Sequence, residues 1–538
     1  MRHRLSQIGI LAAFALVLSM PFIVSVLTGR ADAAATRARA ESARRLIVVT
    51  PHVEQIRLEF DSAFSRWHAR RFGVEARIEW RQPGGTSEII KQLEAAFDAA
   101  ARSGDISADG ECRSGRIGFD VFFGGGSFEH GKLKTPRSIA DPRTPGGKLV
   151  YRMSRPAGFE QAKLDEWFGE NLIGTQTLYD PEQYWIGTAL SGFGIVFNRD
   201  MLRERGLPEP RGFADLCDPR YANLLALADP RQSGSITTTF ESIMNKEGWD
   251  RGWRILRELS ANARYFASAA TKVPVDVSQG EAAAGLAIDF YGRGQSQFTM
   301  KPGQAASQAR VGYVDPEGSV YIDADPVTIL NGCEDFELAQ RFVQFCLTEE
   351  AQALWQFRPV STAAGKDNPR GEDGSPMGPE RTELRRMPVR RSMYRQYMPY
   401  FVDQSDPFEL ASIMPARGWR SAITPLMAAF GVDVSPDLRR AWASLNAART
   451  AAASGSMSRS VLERMEQAFY AMPEHRMRDG QVLAFNEANF RRILEDADRF
   501  KDTEHAKRTL IAYSEFFRGQ YRTVNQLWRS HARSGGSR

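Results

Sequence analysis

Cysteine is scarce. The 538 residues hold four, Cys112, Cys217, Cys333 and Cys346, and none forms a C-x-x-C pair, so the usual structural zinc sites are excluded. In an oxidising compartment the even count allows two disulfides in any of three connectivities, and free thiols fit it equally well. Cys333 and Cys346 flank EDFELAQRFVQF, a predicted helix whose ends stand too far apart to bridge unless the chain doubles back. An excess of one charge is lacking too: 70 Lys and Arg face 65 Asp and Glu, and the resulting +5 sets up no strong field toward nucleic acid. There is no glycine triplet period, no internal repeat and only one apolar run long enough to span a bilayer. A collagen-like chain and a polytopic membrane protein are therefore disfavoured.

Enzyme signatures are missing as well. H-E-x-x-H, G-x-S-x-G and S-x-x-K do not occur. GSFEHGKL (Gly126–Leu133) has the glycine and lysine spacing of a phosphate-binding loop, but Leu133 stands where a Ser or Thr must hold magnesium. The stretch Arg381–Tyr400 interleaves Arg with Tyr, and on an exported chain this reads as a solvated helix face rather than a nucleic-acid surface. No catalytic residue, no metal site and no cofactor is expected.

What remains is a globular composition, 42% hydrophobic and 25% charged, with room for two to four domains at ~150 residues each. At the amino terminus Arg2, His3 and Arg4 precede the apolar run Ile8–Leu27, and Ala31-Asp32-Ala33 follows as an A-x-A triplet. This order predicts export, by a signal peptide or membrane anchor over residues 1–33. The run exceeds the ~7–15 residues of an ordinary signal core and is long enough to span a bilayer, so residues 8–28 could hold the protein to a membrane. The expected location is periplasmic or otherwise extracytoplasmic.

From Leu46 the chain alternates short apolar runs with amphipathic segments. LIVVTP, EARIEW and FDVFFGG read as strands, separated by the helices VEQIRLEFDSAFSRWHARRF and TSEIIKQLEAAFDAAA. Strands at this spacing need crossover helices, which gives an α/β fold with a parallel sheet. SGDISADGECRSGR reads as a surface insertion. A second set follows: strands in Thr188–Asp200 and Leu224–Pro230, helices in QSGSITTTFESIMNKEG and WDRGWRILRELSANA, a strand AAAGLAIDF ending at Tyr291, and a strand over Gly318–Leu330. Beyond about Ser392 the chain reads as almost wholly helical.

Ligands of open α/β sheets bind outside the carboxyl ends of the strands, and the residues there share one character. Gly84, Gly85, Thr86 and Ser87 open one helix; Ser233, Gly234, Ser235 and Thr237 open another; Ser268, Ala269, Ala270 and Thr271 precede a third. Small and hydroxylic residues at helix starts leave amides and hydroxyls aimed at one spot, which favours anionic oxygens. Arg231 and Lys272 stand beside two of these starts and could offset ligand charge. His52, after the first strand, and Asp289 and Tyr291, at the end of LAIDFY, occupy the same edge. Gly125 and Gly126, in the Gly124–Gly126 run, would let the backbone approach a bound molecule closely.

The segments LIVVTPHVEQI, PGGTSEIIKQL, FDVFFGGG, YWIGTALSGFGIVFN, ADPRQSGSITTTFES and SAATKVPVDVSQGEAAAGLAIDFYGR, spread over residues 45–360, resemble the extracellular solute-binding proteins of ABC transporters, in the branch related to ferric-ion-binding proteins. The resemblance implies a type II periplasmic-binding-protein-like fold. Lobe 1 would comprise 45–190 and 325–400, lobe 2 191–324, and a helical C-terminal extension 401–538. Crossover strands near Ser191–Phe197 and Val320–Thr328 would form the hinge, and the closed form would be read by ABC permease subunits. Ferric-ion members supply a His near the first strand, an acidic ligand after the third and two adjacent tyrosines in the second lobe. Here His52 matches, but the third strand ends in glycines and the tyrosine pair reads Phe290-Tyr291. A hard ferric ion loses two charged oxygen ligands by these changes, so an anionic solute, phosphorylated or phosphonate-like, is expected ahead of iron. Two other classes compete with a transport receptor: a membrane-anchored signalling or scaffold protein with a non-catalytic cleft, and an exported hydrolase acting through His52 and Asp289.

Overall fold

The computed structural model describes residues 43–301, 304, 306–496 and 503–535. The expected signal or anchor segment lies outside them. Among the described residues no helix is long and apolar enough to cross a membrane.

The first lobe begins as its sequence dictates. β1 (Arg44–Val49), β2 (Ala76–Arg81) and β3 (Val121–Phe123) alternate with α1 (Glu54–Phe72) and α2 (Thr86–Arg102). β1 pairs in parallel with both β2 and β3. α1 stops at Gly73, whose φ of +72° supplies the left-handed cap that a side chain resists. α2 turns Ile89, Ile90, Leu93 and Phe97 to one face and buries it. α3 (Ser127–Lys134) follows the glycines after β3.

The hinge is built on β4 (Ile186–Asn198), thirteen residues buried along their whole length. Such a strand must be covered on both faces, and its run of small and apolar residues meets that demand. Past β4 the second lobe is assembled from β5 (Leu225–Ala228), α4 (Gly234–Glu247), α5 (Trp249–Asn262), β6 (Ala263–Ala267), α6 (Lys272–Gln279), β7 (Ala284–Ile288), α7 (Asp289–Phe298) and β8 (Val311–Val314). β9 (Ile322–Leu330) returns to the first lobe. The strand order β2-β1-β3-β9-β4-β7-β5-β6 runs through both lobes. Residues 186–192 of β4 pair with β9, and residues 193–198 pair with β7 and β8. A register shift at Asp325/Pro326 interrupts the β9 ladder, where proline lacks the amide to continue it. Met387–Pro388 adds a third short strand to this crossing by pairing with Leu190 and Ala189.

Several boundaries differ from the sequence reading. AAAGLAIDF leaves the sheet at Ile288, so Asp289 and Tyr291 lie in the first turn of α7 rather than at a strand end. The helix expected through Ala263 stops at Asn262, and β6 begins there, a strand that the amphipathic pattern of α5 hid. SGDISADGECRSGR is no mere surface insertion: Ile106 and Cys112 are buried, and the Cys112 amide donates to Asn331 Oδ1 at 3.0 Å. The four cysteines are free thiols, and burial pushes Cys112 up to about 11 and Cys333 up to about 12.

The first lobe's core gathers Phe60, Phe64, Phe123, Phe345 and Trp355 from α1, β3, α8 (Phe336–Cys346) and α9 (Glu349–Gln356). Phe401 and Phe408 still pack on this side. From Trp419 onward the chain joins the second lobe. α10 (Arg420–Met427), α11 (Ser435–Ala453), α12 (Arg459–Tyr470) and α13 (Thr503–Gly535) share one continuous core with β5, α4 and α5. A short hairpin, Glu474–Arg476 with Val482–Ala484, interrupts the almost wholly helical run that was expected. The C-terminal region is therefore part of the second lobe's interior and not an appendage.

Two buried polar groups tie α5 to this region. Trp442 Nε1 donates to Asn262 Oδ1 at 2.8 Å while its ring stacks on Phe469 at 5.4 Å. Arg257, 1% exposed, donates from Nη1 to the carbonyls of Phe469 (2.5 Å) and Ala471 (3.0 Å) and lies over the Phe430 and Phe517 rings. Trp442→Ala should destabilise the protein by about 3–5 kcal/mol in chemical denaturation. A loss below about 1 kcal/mol would show that the C-terminal helices do not contribute to the second lobe's core.

Candidate functional site

The three helix starts singled out in the sequence converge. Between the lobes lies a cavity of about 400 Å³, within the range that holds a small organic molecule. The first lobe contributes the Gly84–Thr86 turn, His52, Gly125, Gly126 and Glu129; the second contributes Ser233, Gly234, Ser235, Ala270, Thr271 and Tyr291. The hinge strands supply Ser191, Asp323 and Asp325. At the rim the lobes nearly touch, for a Cβ on Gly85 would stand 3.4 Å from the Gln232 carbonyl.

The donors follow from local structure. Gly85 caps α2 without a side-chain hydrogen bond, so the amides of its first turn are left without a partner from the cap. In α4 the Ser233 hydroxyl accepts the Ile236 amide, which leaves the first amides of that helix, at Gly234 and Ser235, beside the cavity. The start of α3 differs. Ser127 donates from its amide (3.2 Å) and hydroxyl (2.6 Å) to Asp323, and the Gly125 amide donates to Asp325 Oδ1 at 2.9 Å. The Gly125 and Ser127 donors are taken by the protein's own carboxylates, while Gly125 and Gly126 still line the cavity.

Other expected residues sit apart. Thr237 points back, its hydroxyl donating to the carbonyls of Pro230 and Ser233. Ser87 and Asp289 do not line the cavity. Arg231 is held by Asp229 and Asp433, and Lys272 by Asp276, so neither expected cation reaches the ligand space. The cation that does line it is Arg386, from the segment leading into the short hinge strand. Its guanidinium pairs with Asp325, donates to Ser191 Oγ at 3.3 Å and lies 4.1 Å from the Phe290 ring centroid. Glu129, Asp323 and Asp325 were likewise missed. They are single acids in unremarkable local sequence, and only the hinge brings them to the cleft. The alternation IDADPV, which points Asp323 and Asp325 to one face, was the one readable signal.

Burial sets the charge state of the cleft. His52 is 2% exposed, packed edge-on to Phe123 in the space that Gly124 leaves by having no side chain. Burial and then the nearby Arg386 hold its imidazole well below the ordinary histidine range, so it is neutral. Its Nε2 lies 3.5 Å from Asp325 Oδ1, and neither ring nitrogen makes a hydrogen bond. No protein hydroxyl is hydrogen-bonded to the His52 ring. Among the described residues no three His, Cys, Asp or Glu side chains are grouped to hold a metal ion. Burial lowers Arg386 to about 10 and raises Asp323 to about 6.

Asp289 is fully buried, and desolvation outweighs the neighbouring Arg293 to push it up to about 7. Folded Asp289 thus keeps its proton where the unfolded chain would release it. Between about pH 4 and 7 stability should fall as pH rises, because the native state then binds more protons than the unfolded one. Asp289→Asn should flatten the melting temperature between pH 4.5 and 8, raising it at pH 8 relative to the parent, with Asp323 leaving a smaller residual slope. An unchanged slope in the variant would mean that Asp289 is ionised in the fold.

Residues 159–377 match the family of bacterial extracellular solute-binding proteins. Among curated proteins, the chain is 26% identical over 244 residues to the phosphoglycerate transport regulatory protein PgtC of Salmonella typhimurium, covering 44% of this chain and 56% of that one. An uncharacterized Haemophilus influenzae protein is 27% identical over 164 residues, covering 30% and 44%. The chain thus spans about half the length of the curated relatives it matches. Among solved structures, the periplasmic binding protein AfuA from Actinobacillus pleuropneumoniae, with fructose-6-phosphate bound, aligns at 14% identity over 71% of this chain and 97% of that one, TM-score 0.43. A ferric binding protein from Campylobacter jejuni aligns at 12% over 74% and 99%, TM-score 0.44.

Proposed function

We propose that this chain, whose residues 159–377 match the family of bacterial extracellular solute-binding proteins, is the extracytoplasmic receptor of an ABC importer and closes on a small phosphorylated or phosphonate-like anion. One observation carries the reading: the uncapped start of α2 from one lobe faces the start of α4 and the 268–271 loop from the other across a single cavity. Facing amide and hydroxyl donors of this kind suit the several oxygens of a phosphate group. The Salmonella relative is named for phosphoglycerate transport, which supports a phosphorylated carboxylate as a first solute to try.

Iron fits the same cavity less well. Tyr291 faces it, but its neighbour in the expected pair is Phe290, so one of the two phenolates expected for a ferric ion is missing. The receptor is read as non-enzymatic because the family that residues 159–377 match is one of solute-binding proteins. A second reading, in which the loaded protein reports to a membrane sensor instead of a permease, is favoured by the C-terminal helices that enlarge the second lobe and by the relative's description as regulatory.

A thermal-shift screen with 2- and 3-phosphoglycerate, sugar phosphates, phosphonates, inorganic phosphate and ferric citrate tests the proposal. A solute at ~100 times its Kd should stabilise the fold by about 2.7 kcal/mol. No shift with any phosphorylated or phosphonate compound at millimolar concentration would overturn it, and a shift with ferric citrate alone would select iron. Ser235→Glu, which sets a carboxylate at the start of α4, should abolish anion binding and leave the ligand-free melting temperature within about 2 °C of the parent. Retained binding in calorimetry would remove α4 from the site.

A further inference from the structure

Arg420 opens α10, the first helix past the point where the chain joins the second lobe, yet it reaches the other lobe. It is 6% exposed. From Nη1 it donates to Thr238 Oγ1 (2.8 Å) and Glu241 (2.9 Å) of α4; from Nη2 it donates to the Gly234 carbonyl (3.2 Å) of α4 and to Glu129 Oε1 (3.1 Å) of α3 in the first lobe. Its guanidinium also covers the Phe128 ring at 4.2 Å. One side chain from the C-terminal region therefore grips the helix starts on both sides of the cleft.

Glu129 is the carboxylate that this grip holds. It is 5% exposed, lines the ligand cavity and lies between two glycines, one from each lobe. A Cβ on Gly126 would stand 3.0 Å from Glu129 Oε2, and one on Gly234 would stand 2.9 Å from Oε1. The two helix starts close around the carboxylate because neither carries a side chain there.

We infer that Arg420 is a positioning and specificity-determining residue of the cleft: it clamps α3 against α4 across the two lobes, and it cancels the charge of Glu129, which would otherwise repel an anionic solute. The geometry separates the two jobs. The clamp acts through the cross-lobe pair with Glu129 and holds with the cavity empty. The charge cancellation acts on the solute and rests on the anion reading of the cleft. Glu241 shares the guanidinium but sits on the same lobe as Arg420, so it anchors the arginine and does not bridge the lobes.

The test combines Arg420→Gln, Glu129→Gln and the double variant in the whole chain, with two readouts. Small-angle scattering of the ligand-free protein reports closure and needs no solute. Both single variants should give a larger radius of gyration than the parent, and an unchanged radius in both would overturn the clamp. Calorimetry with 3-phosphoglycerate and inorganic phosphate reports the charge. Arg420→Gln should weaken binding at least about tenfold by leaving Glu129 unpaired. The double variant should return to within about threefold of the parent, since the repelling charge is gone with its partner. Equal weakening in the single and the double variant would reduce Arg420 to a purely structural role. If Arg420→Gln does not fold, Glu129→Gln alone decides, because it leaves the packing of α10 untouched: it should open the ligand-free form and bind the anion no more weakly than a few-fold. Should the parent bind neither anion, the solute reading of these probes fails while scattering still settles the clamp.

Discussion

Everything in this molecule depends on one buried strand serving two sheets. β4 has every residue buried, and its ladder partners change midway from β9 to β7 and β8. Each half has its hydrogen bonds satisfied within one lobe, so the lobes cannot separate without breaking that strand. The partners change near Gly192 and Phe193. The break in the β9 register at Asp325 lies beside this point, with Met387–Pro388 pairing to β4 a few residues away. The polar groups of the hinge, Ser191, Asp325 and Arg386, meet here because strands from three distant parts of the chain cross.

This crossing also sets the chemistry of the cleft. Removing carboxylates from water is costly unless they are paired, and three acids of the cleft have partners in the chain itself: Asp323 in Ser127, Asp325 in Gly125 and Arg386, Glu129 in Arg420. The acids hold the first lobe's glycine turn and α3 in place. The donors left beside the cavity belong to α2 and to the second lobe. Donors from the two lobes thus face each other across the cavity.

Much of the fold was legible from local pattern. LIVVTP, FDVFFGG and TALSGFGIVFNRD carry the continuous apolar runs of buried strands, and the apolar spacing of TSEIIKQLEAAF could only be a helix. The small residues at Gly85, Ser233 and Ser268 announced three helix starts, and the structure sets them around one space. What could not be read was anything that depends on contacts between remote segments. Arg231 looked like a ligand cation because it stood next to a candidate loop, but Asp229 two residues away claimed it. Arg386 looked like one of many arginines in a basic stretch, and only its placement against β4 buries it. β6 was concealed because its first residue completes the pattern of α5. The sharing of a core between the second lobe and residues past Trp419 left no trace in local sequence at all.

That shared core bears on how the protein is made. The interior of the first lobe needs Trp355, and that of the second needs Phe517 and Tyr521 near the other end of the chain. Synthesis runs from the amino terminus, so the second lobe's core, which β5, α4 and α5 share with α13, is incomplete until that last long helix has been made. The first lobe's core draws on residues no later than Ala411, so its interior is available for packing before that of the second.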